Sequence, residues 1–344
     1  MTREDIRLAL PSKGRLAGDS LEFLEASGLK VYRPNPRQYA AQIPALPGLT
    51  VMFQRPGDIA VSVQQGSVDF GITGLDVFCE KCGEHNEDAL LLHDALTFSR
   101  CRLSLAVPED WSDVEDTSSL ARLARQILAS EKRSLRVATK FPTLTGNFLE
   151  ARGVTPFQLV EVEGTLEIAP AIGYADLIAD LVSTGTTLRD NHLRELDDGA
   201  ILYSQAILIA NRAALANRPP VLALARQLLE YIEAHLRAQE CHLVFANMRG
   251  GSPEEIAGRM FAQPNLSGLQ GPTISPIIPN YGATNNGATN WYAVNIVVRK
   301  DRLAQTIAAL RTVGGSGVVV SPVTYIFEEE PQRYRAMLSA LGVD

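Results

Sequence analysis

Residues 6–16, IRLALPSKGRL, join a short apolar run to a Pro-Ser-Lys-Gly turn and then to a segment with a different rhythm. The run is the length of a buried strand, and Pro11, which has no N–H to give a sheet, closes it. Leu16, Leu21 and Leu24 then fall near helical spacing as far as Gly28. Strand, turn and helix make the opening of an α/β fold. The theme returns in LTVMF (49–53), in a helix led by Asp58, and in VDFGIT (68–73), which ends at Gly74. A parallel or mixed sheet covered by helices is expected.

Further along, CRLSLAVP (101–108) and LRVATK (135–140) read as strands, and TLTGNFLEARG (143–153) as a helix closed by Gly153. They outline a second α/β unit from about 102 to 190. ILYSQAILIANRAAL (201–215) supplies a further strand, and PPVLALARQLLEYIEAHLRAQE (219–240) a long amphipathic helix opening on a proline pair. Residues 262–290 are dense in Gly, Pro, Asn and Thr, a loop-rich connection in which YGATNNGATNW (281–291) reads as a flexible hairpin. Beyond it WYAVNIVVRK, DRLAQTIAALRTVG and GVVVSPVTYIF give strand, helix and one or two strands, a small α+β unit. The expected division is 1–101 with 194–238, then 102–193, then 239–344.

The chain of 344 residues is 46% hydrophobic, enough to build more than one core. It has no run of about 18 apolar residues and no apolar signal core, so a cytoplasmic location away from membranes is expected. Four cysteines are too few for a disulfide framework. A net charge of −7 disfavours a broad nucleic-acid surface but leaves room for cations gathered around a small anion.

The chemistry concentrates in DLIADLVSTGTTL (176–188). Leu177, Ile178, Leu181 and Val182 read as one helical stripe, which sets Asp176 and Asp180 on a shared face at i, i+4. Like charges so placed repel, unless they hold something polyhydroxylated or metal-bound. Ser183, Thr184, Gly185, Thr186 and Thr187 follow, a run of N–H groups and hydroxyls about a glycine free to take positive φ. Such a run either ends a helix and caps the next or cradles a phosphate. Glu167 adds a third acid upstream. In FCEKCGEHN, Cys79, Cys82 and His85, with His93 as a fourth, have a spacing compatible with zinc. A single C-x-x-C without a second pair is weak, and an ordinary loop with free thiols is the preferred reading. His192, His235 and His242 are isolated and read as surface or satisfied core residues.

Glu167, Gly173, Ala175, Leu177, Ile178, Asp180, Ser183-Thr184-Gly185, Thr187 and Leu188 together resemble the signature of the ATP phosphoribosyltransferase family. The resemblance extends through ALPSKGRL, RPGDIAVSV, VDFGITGLDV, CRLSLAVP, GLQGPTISPI and GGSGVVVSPVTYIF. It implies a Mg²⁺-dependent transferase that joins N1 of the ATP adenine to C1 of phosphoribosyl pyrophosphate and releases pyrophosphate, the first step of histidine biosynthesis. It implies two lobes like those of periplasmic binding proteins, a C-terminal ferredoxin-like regulatory domain that binds histidine for feedback inhibition, and a homo-oligomer, from dimer to hexamer. The donor phosphate falls to Ser183–Thr187, and its ribose hydroxyls to Asp180 with Asp176 or Glu167. Lys13, Arg15, Arg37 and Arg55 fall on basic positions of the cleft. Arg55, with Lys13, is the candidate for steadying the departing pyrophosphate, where charge grows in the transition state. Gly71, Thr73 and Gly74 border the ATP or merely end a strand, and Thr273 and Ser316 are candidates for the histidine site. A periplasmic-type binding protein and a non-catalytic amino-acid sensor are the rivals. The first lacks a use for Asp180 beside a phosphate cradle, and the second lacks a use for the cationic turn.

Overall fold

The computed structural model describes residues 5–35, 38–83, 86–161, 164–269, 271–278 and 290–343. They form two compact units, residues 1–227 with 332–344, and residues 228–331. The first holds two sheets.

The first sheet is built from β1 (Ile6–Pro11), β2 (Ala40–Gln42), β3 (Leu49–Gln54), β4 (Phe70–Gly74) and β5 (Ala89–His93), with helices α1 (Arg15–Ala26), α2 (Pro56–Gln64) and α3 (Leu75–Cys82) between its strands. The second takes β6 (Cys101–Pro108), β7 (Leu135–Thr139), β8 (Phe157–Glu161), β9 (Leu177–Val182) and β10 (Leu193–Ser204), with α4 (Thr117–Glu131), α5 (Pro142–Ala151) and the short α6 (Thr186–Asp190). The chain then re-enters the first sheet as β11 (Ala206–Asn211), followed by α7 (Arg212–Asn217) and α8 (Pro219–Gln239), which runs into the second unit.

Strand orders are β2-β3-β1-β4-β11-β5 and β10-β6-β9-β7-β8. β1 lies parallel to β3 and β4, β7 parallel to β8 and β9, while β11, β6 and β10 run antiparallel to their neighbours. The mixed sheets expected from the opening strand are thus present. Both faces of the second sheet are covered: Leu105, Val137, Leu177 and Ala179 pack with Leu120, Ala124 and Ile127 of α4 on one side. Ala106, Ala138, Ile178 and Val182 pack with Leu166 and Leu188 on the other.

Four readings need correction. Residues 177–182 are a strand, not a helix. Six residues of mostly apolar character fit either period, and pairing on both sides, with β6 and β7, decides for the strand. Asp176 and Asp180 therefore sit four strand residues apart, roughly 13 Å, instead of one helical turn. Residues 75–82 are helix α3, so Cys79 and Cys82 are helical and not in a loop, while His85 lies outside the described residues. The segment from 194 to 204, expected with the first sheet, pairs with β6 in the second; the chain crosses at Gln205. The C-terminal helix α11 (Gln332–Leu341) belongs to the first unit, where Arg212 donates from Nη1 to the Ala340 carbonyl at 2.6 Å.

The second unit runs β12 (Cys241–Gly250), α9 (Pro253–Phe261), β13 (Thr273–Pro276), β14 (Asn290–Arg299), α10 (Leu303–Thr312) and β15 (Ser316–Pro322). This β-α-β-β-α-β succession folds into one antiparallel sheet of order β13-β14-β12-β15, the ferredoxin-like arrangement. Val244, Met248, Val294 and Ile296 bury one face under Ile256, Met260 and Leu310 of its helices. Most of YGATNNGATNW lies outside the described residues.

Candidate functional site

Two groups of polar residues sit at strand ends of the first unit, where carbonyl and amide groups run out of ladder partners. In the second sheet, β9 delivers Asp180 and then turns through Ser183–Thr187. Gly185 there is left-handed (φ 75°) and stands as the N-cap of α6, with no side chain of its own to cap it, and the Thr186 N–H donates to Thr184 Oγ1 at a long 3.4 Å. A side chain at that φ would be strained. Ser183, Thr184, Thr186 and Thr187 are exposed, while Val182 and Leu188 on either side are buried and anchor the turn. The Thr184 and Thr186 hydroxyls are 3.1 Å apart, and Arg189 reaches Thr186 at 3.4 Å. Ending the strand and exposing the amides are one event.

Asp180 is drawn into this corner. Burial pushes its carboxyl above the usual carboxylate range; the Leu181 N–H, 2.8 Å from Oδ1, opposes the rise, Glu167 adds to it and Lys140 counters it. Glu167, on a single 3₁₀ turn (Leu166–Ile168), and Lys140, just beyond β7, are thereby brought within electrostatic reach of Asp180. Asp176 is not brought there. It lies at the other end of β9, 8% exposed, and accepts from Arg133 Nη1 at 2.5 Å, Arg136 Nη2 at 2.9 Å and the Arg136 N–H at 2.8 Å. Burial raises its pKa, but those donors together hold it below the usual range. Its work is to tie the start of β9 to β7.

The first sheet contributes an open cavity of about 630 Å³ at the ends of β1 and β3, lined by Lys13, Arg33, Tyr39, Phe53, Arg55 and Asp58 among others. Lys13 and Arg55, 42 positions apart in the chain, thus share one wall. The Arg33 guanidinium carbon lies 4.1 Å from the centroid of the Phe53 ring, a cation over an aromatic face. Arg15 is turned to Asp19 at 3.3 Å and does not line the cavity. Arg37 lies outside the described residues.

Gly71, Thr73 and Gly74 are buried. A Cβ on Gly71 would stand 2.5 Å from Ile59 Cγ2, so the glycine lets α2 seat on β4. Thr73 Oγ1 donates to the Pro56 carbonyl at 3.0 Å, and Gly74 caps α3 with Asp76 against it. All three take part in ending β4 and seating the helices beside it.

The pairings that the sequence does not show are those made across long separations. Glu80 on α3 accepts from the N–H groups of Thr143 and Leu144, at 2.9 and 3.0 Å, and so caps α5. Ser204 Oγ accepts from the Asp76 N–H at 3.0 Å and donates to the Asp76 carboxyl, joining α3 to the crossing strand. Arg102 grips Glu195 through two N–H groups beside Gly185. No local spacing announces any of these.

Among the described residues no group of three or more His, Cys, Asp and Glu is placed to hold a metal. Cys79 and Cys82 are held as thiols, their pKa values raised, that of Cys82 to about 11, by burial first and then by Asp76 and Cys79 respectively. His93 is buried on β5, its Nδ1 accepting from the Ala95 N–H at 3.2 Å. In the second unit, Thr273 and Ser316 lie on opposite edge strands of a four-stranded sheet, roughly 14 Å apart by strand spacing, so one chain does not bring them together.

The family model described as ATP phosphoribosyltransferase matches residues 55–249, and that of the HisG C-terminal domain matches residues 238–325. The chain is 49% identical over 342 residues to ATP phosphoribosyltransferase 2, chloroplastic, of Arabidopsis thaliana, covering 99% of this chain and 82% of that one. It is 34% identical over 321 residues to ATP phosphoribosyltransferase of Methanococcus maripaludis, covering 93% and 99%. Among solved structures it is similar to the ATP phosphoribosyl transferase (HisG:HisZ) complex from Thermotoga maritima, with a TM-score of 0.50 and 26% identity over 66% of this chain and 98% of that one. No helix among the described residues is long and apolar enough to cross a membrane.

Proposed function

The chain belongs to the ATP phosphoribosyltransferase family, and from that premise we propose how its residues divide the work of the first step of histidine biosynthesis. The adenine N1 lone pair of ATP attacks C1 of phosphoribosyl pyrophosphate; the N1–C1 bond forms, the C1–O bond breaks, and pyrophosphate leaves with the electron pair. Adenine N1 is a competent nucleophile at neutral pH, so positioning and charge stabilisation suffice and no general base is required.

One observation carries the reading: Asp180, with Glu167 and Lys140, meets an exposed hydroxyl and amide turn at left-handed Gly185. The Ser183–Thr187 turn takes the 5′-phosphate of the donor, and Asp180 with Glu167 takes its ribose hydroxyls. Asp176 has no part in this, its oxygens being already shared among Arg133 and Arg136. Lys13 and Arg55, on one cavity wall, steady the departing pyrophosphate; Arg15, held by Asp19, and Arg37, outside the described residues, are assigned to ATP by the family resemblance alone. Magnesium, carried on the donor's pyrophosphate, would neutralise part of its charge.

The second unit is proposed as the histidine-responsive domain of a homo-oligomer. With Thr273 and Ser316 on opposite sheet edges, a site using both draws them from two copies of the chain. The four free thiols fit a reducing compartment, here the cytoplasm, although the plant relatives are named chloroplastic.

Purified protein given ATP, phosphoribosyl pyrophosphate and Mg²⁺ should release pyrophosphate and form a nucleotide with new near-ultraviolet absorbance. A folded protein that forms none refutes the assignment. Added histidine should lower that rate, and a rate indifferent to histidine removes the regulatory reading alone.

A further inference from the structure

A carboxylate lies against the loop assigned to the donor phosphate. A Cβ built on Gly185 would stand 3.9 Å from Glu195 Oε1, so this acid neighbours the middle of the turn Ser183–Thr187. An uncompensated negative charge there opposes any anion in the turn. It is compensated by Arg102, whose Nε donates to Glu195 Oε2 at 2.6 Å while Nη2 donates to Oε1, a bidentate grip. The buried Ser104 hydroxyl makes a further hydrogen bond to the same carboxylate.

The backbone fixes where this pair stands. Arg102 is registered opposite Val182, the last residue of β9 before the loop, and Ser104 opposite Asp180. Glu195 comes from β10 on the far side of β6. The Arg102 side chain is one-third exposed (33%), and a guanidinium has five N–H donors. The two groups engaged by Glu195 leave donors for a second anion. A bidentate grip is the geometry in which a partly exposed ion pair does contribute to stability, and here it also fixes where the guanidinium stands. As a cation held ready beside an anion seat it has a use.

We propose that Arg102 is a ligand of the donor's 5′-phosphate and that Glu195 is its positioning residue, setting the guanidinium beside the loop and restraining affinity for the anion. The inference rests on the reading of Ser183–Thr187 as the phosphate seat. Glu195 stops the seat from holding every phosphate that passes; a phosphate on a ribose, gripped also by Asp180, overcomes that restraint.

Ribose 5-phosphate, titrated calorimetrically into the full-length protein, is the probe, with ATP titrated as the control. Arg102→Met should weaken ribose 5-phosphate by about tenfold or more, the worth of one charge-assisted hydrogen bond. Glu195→Gln, which keeps an acceptor for Nε but removes the charge, should tighten it by about threefold. ATP affinity should stay within about twofold in both, because the changed contact reads only the donor phosphate. Arg102→Lys, which keeps the charge, should recover most of the affinity and covers the case in which Arg102→Met does not fold.

Arg102→Met and Arg102→Lys both binding like wild type, or Glu195→Gln weakening the probe, reduces the pair to a strut and overturns the proposal while the loop assignment stands. Wild-type protein that fails to bind ribose 5-phosphate, or binds it without displacement by phosphoribosyl pyrophosphate, overturns the loop assignment and this inference with it.

Discussion

Asp180 is held where burial works against its charge. Its carboxyl is pushed upward chiefly by burial, with Glu167 adding to the effect and Leu181 and Lys140 opposing it. The native state therefore keeps this proton at a pH where the unfolded chain has lost it. Its contribution to stability is complete below the ordinary carboxylate range and is lost as pH rises through the raised native value. Asp180→Asn should raise the thermal midpoint at pH 7, with a gain that shrinks as the pH is brought down through that window. The same substitution should weaken the phosphoribosyl donor by about tenfold or more, from loss of charged hydrogen bonds to its hydroxyls. Scanning calorimetry across pH and donor KM measure the two effects, and loss of stability at pH 7 would contradict the account. The Ser-Thr-Gly-Thr-Thr turn was legible because it needs only local chemistry, hydroxyls about a glycine that takes φ 75°. Asp176 was misread for the opposite reason, since its partners Arg133 and Arg136 stand some 40 positions away.

At the scale of elements, β9 and α3 show where periodicity loses its force. LIADLV satisfies a helical stripe, yet its neighbours β6 and β7 offer ladders on both edges, and backbone hydrogen bonding settles the contest. FCEKC drew attention to its thiols, and the packing of α3 makes it helix. That helix carries Glu80 to the amides of Thr143 and Leu144, where a carboxylate both satisfies orphan donors and favours the helix dipole. Glu80→Ala should cost about 1 kcal/mol, as loss of a good N-cap does, and Glu80→Gln less, since one acceptor survives. Denaturant unfolding reads this directly; an unchanged midpoint in Glu80→Ala would show the cap to be energetically idle.

Across the whole molecule, burial couples single groups to global stability. His93, on an edge strand of the first sheet, has its pKa lowered to about 4, by burial first and by Arg333 second, against Asp94. A lowered native value means that the neutral ring is favoured; its contribution is present above the ordinary histidine value and is lost as pH falls through the native one. Between about pH 6.5 and 4 the wild type should lose stability more steeply than His93→Asn, whose side-chain oxygen can still accept from the Ala95 N–H. Equal slopes for the two proteins would exclude His93 as the source. The sequence by itself determined the α/β character of the first unit, the strand and helix that follow residue 290, the glycine turn after β9 and the family, because each rests on short-range order: apolar period, turn residues, fixed spacing. Only the tertiary structure decided that 177–182 is a strand, that the chain crosses between sheets at Gln205, that α11 returns to the first unit, and that Lys13 meets Arg55 while Asp176 parts from Asp180. Those outcomes depend on which distant segments supply hydrogen bonds and opposite charge, and no local pattern encodes a partner 40 or 90 residues away.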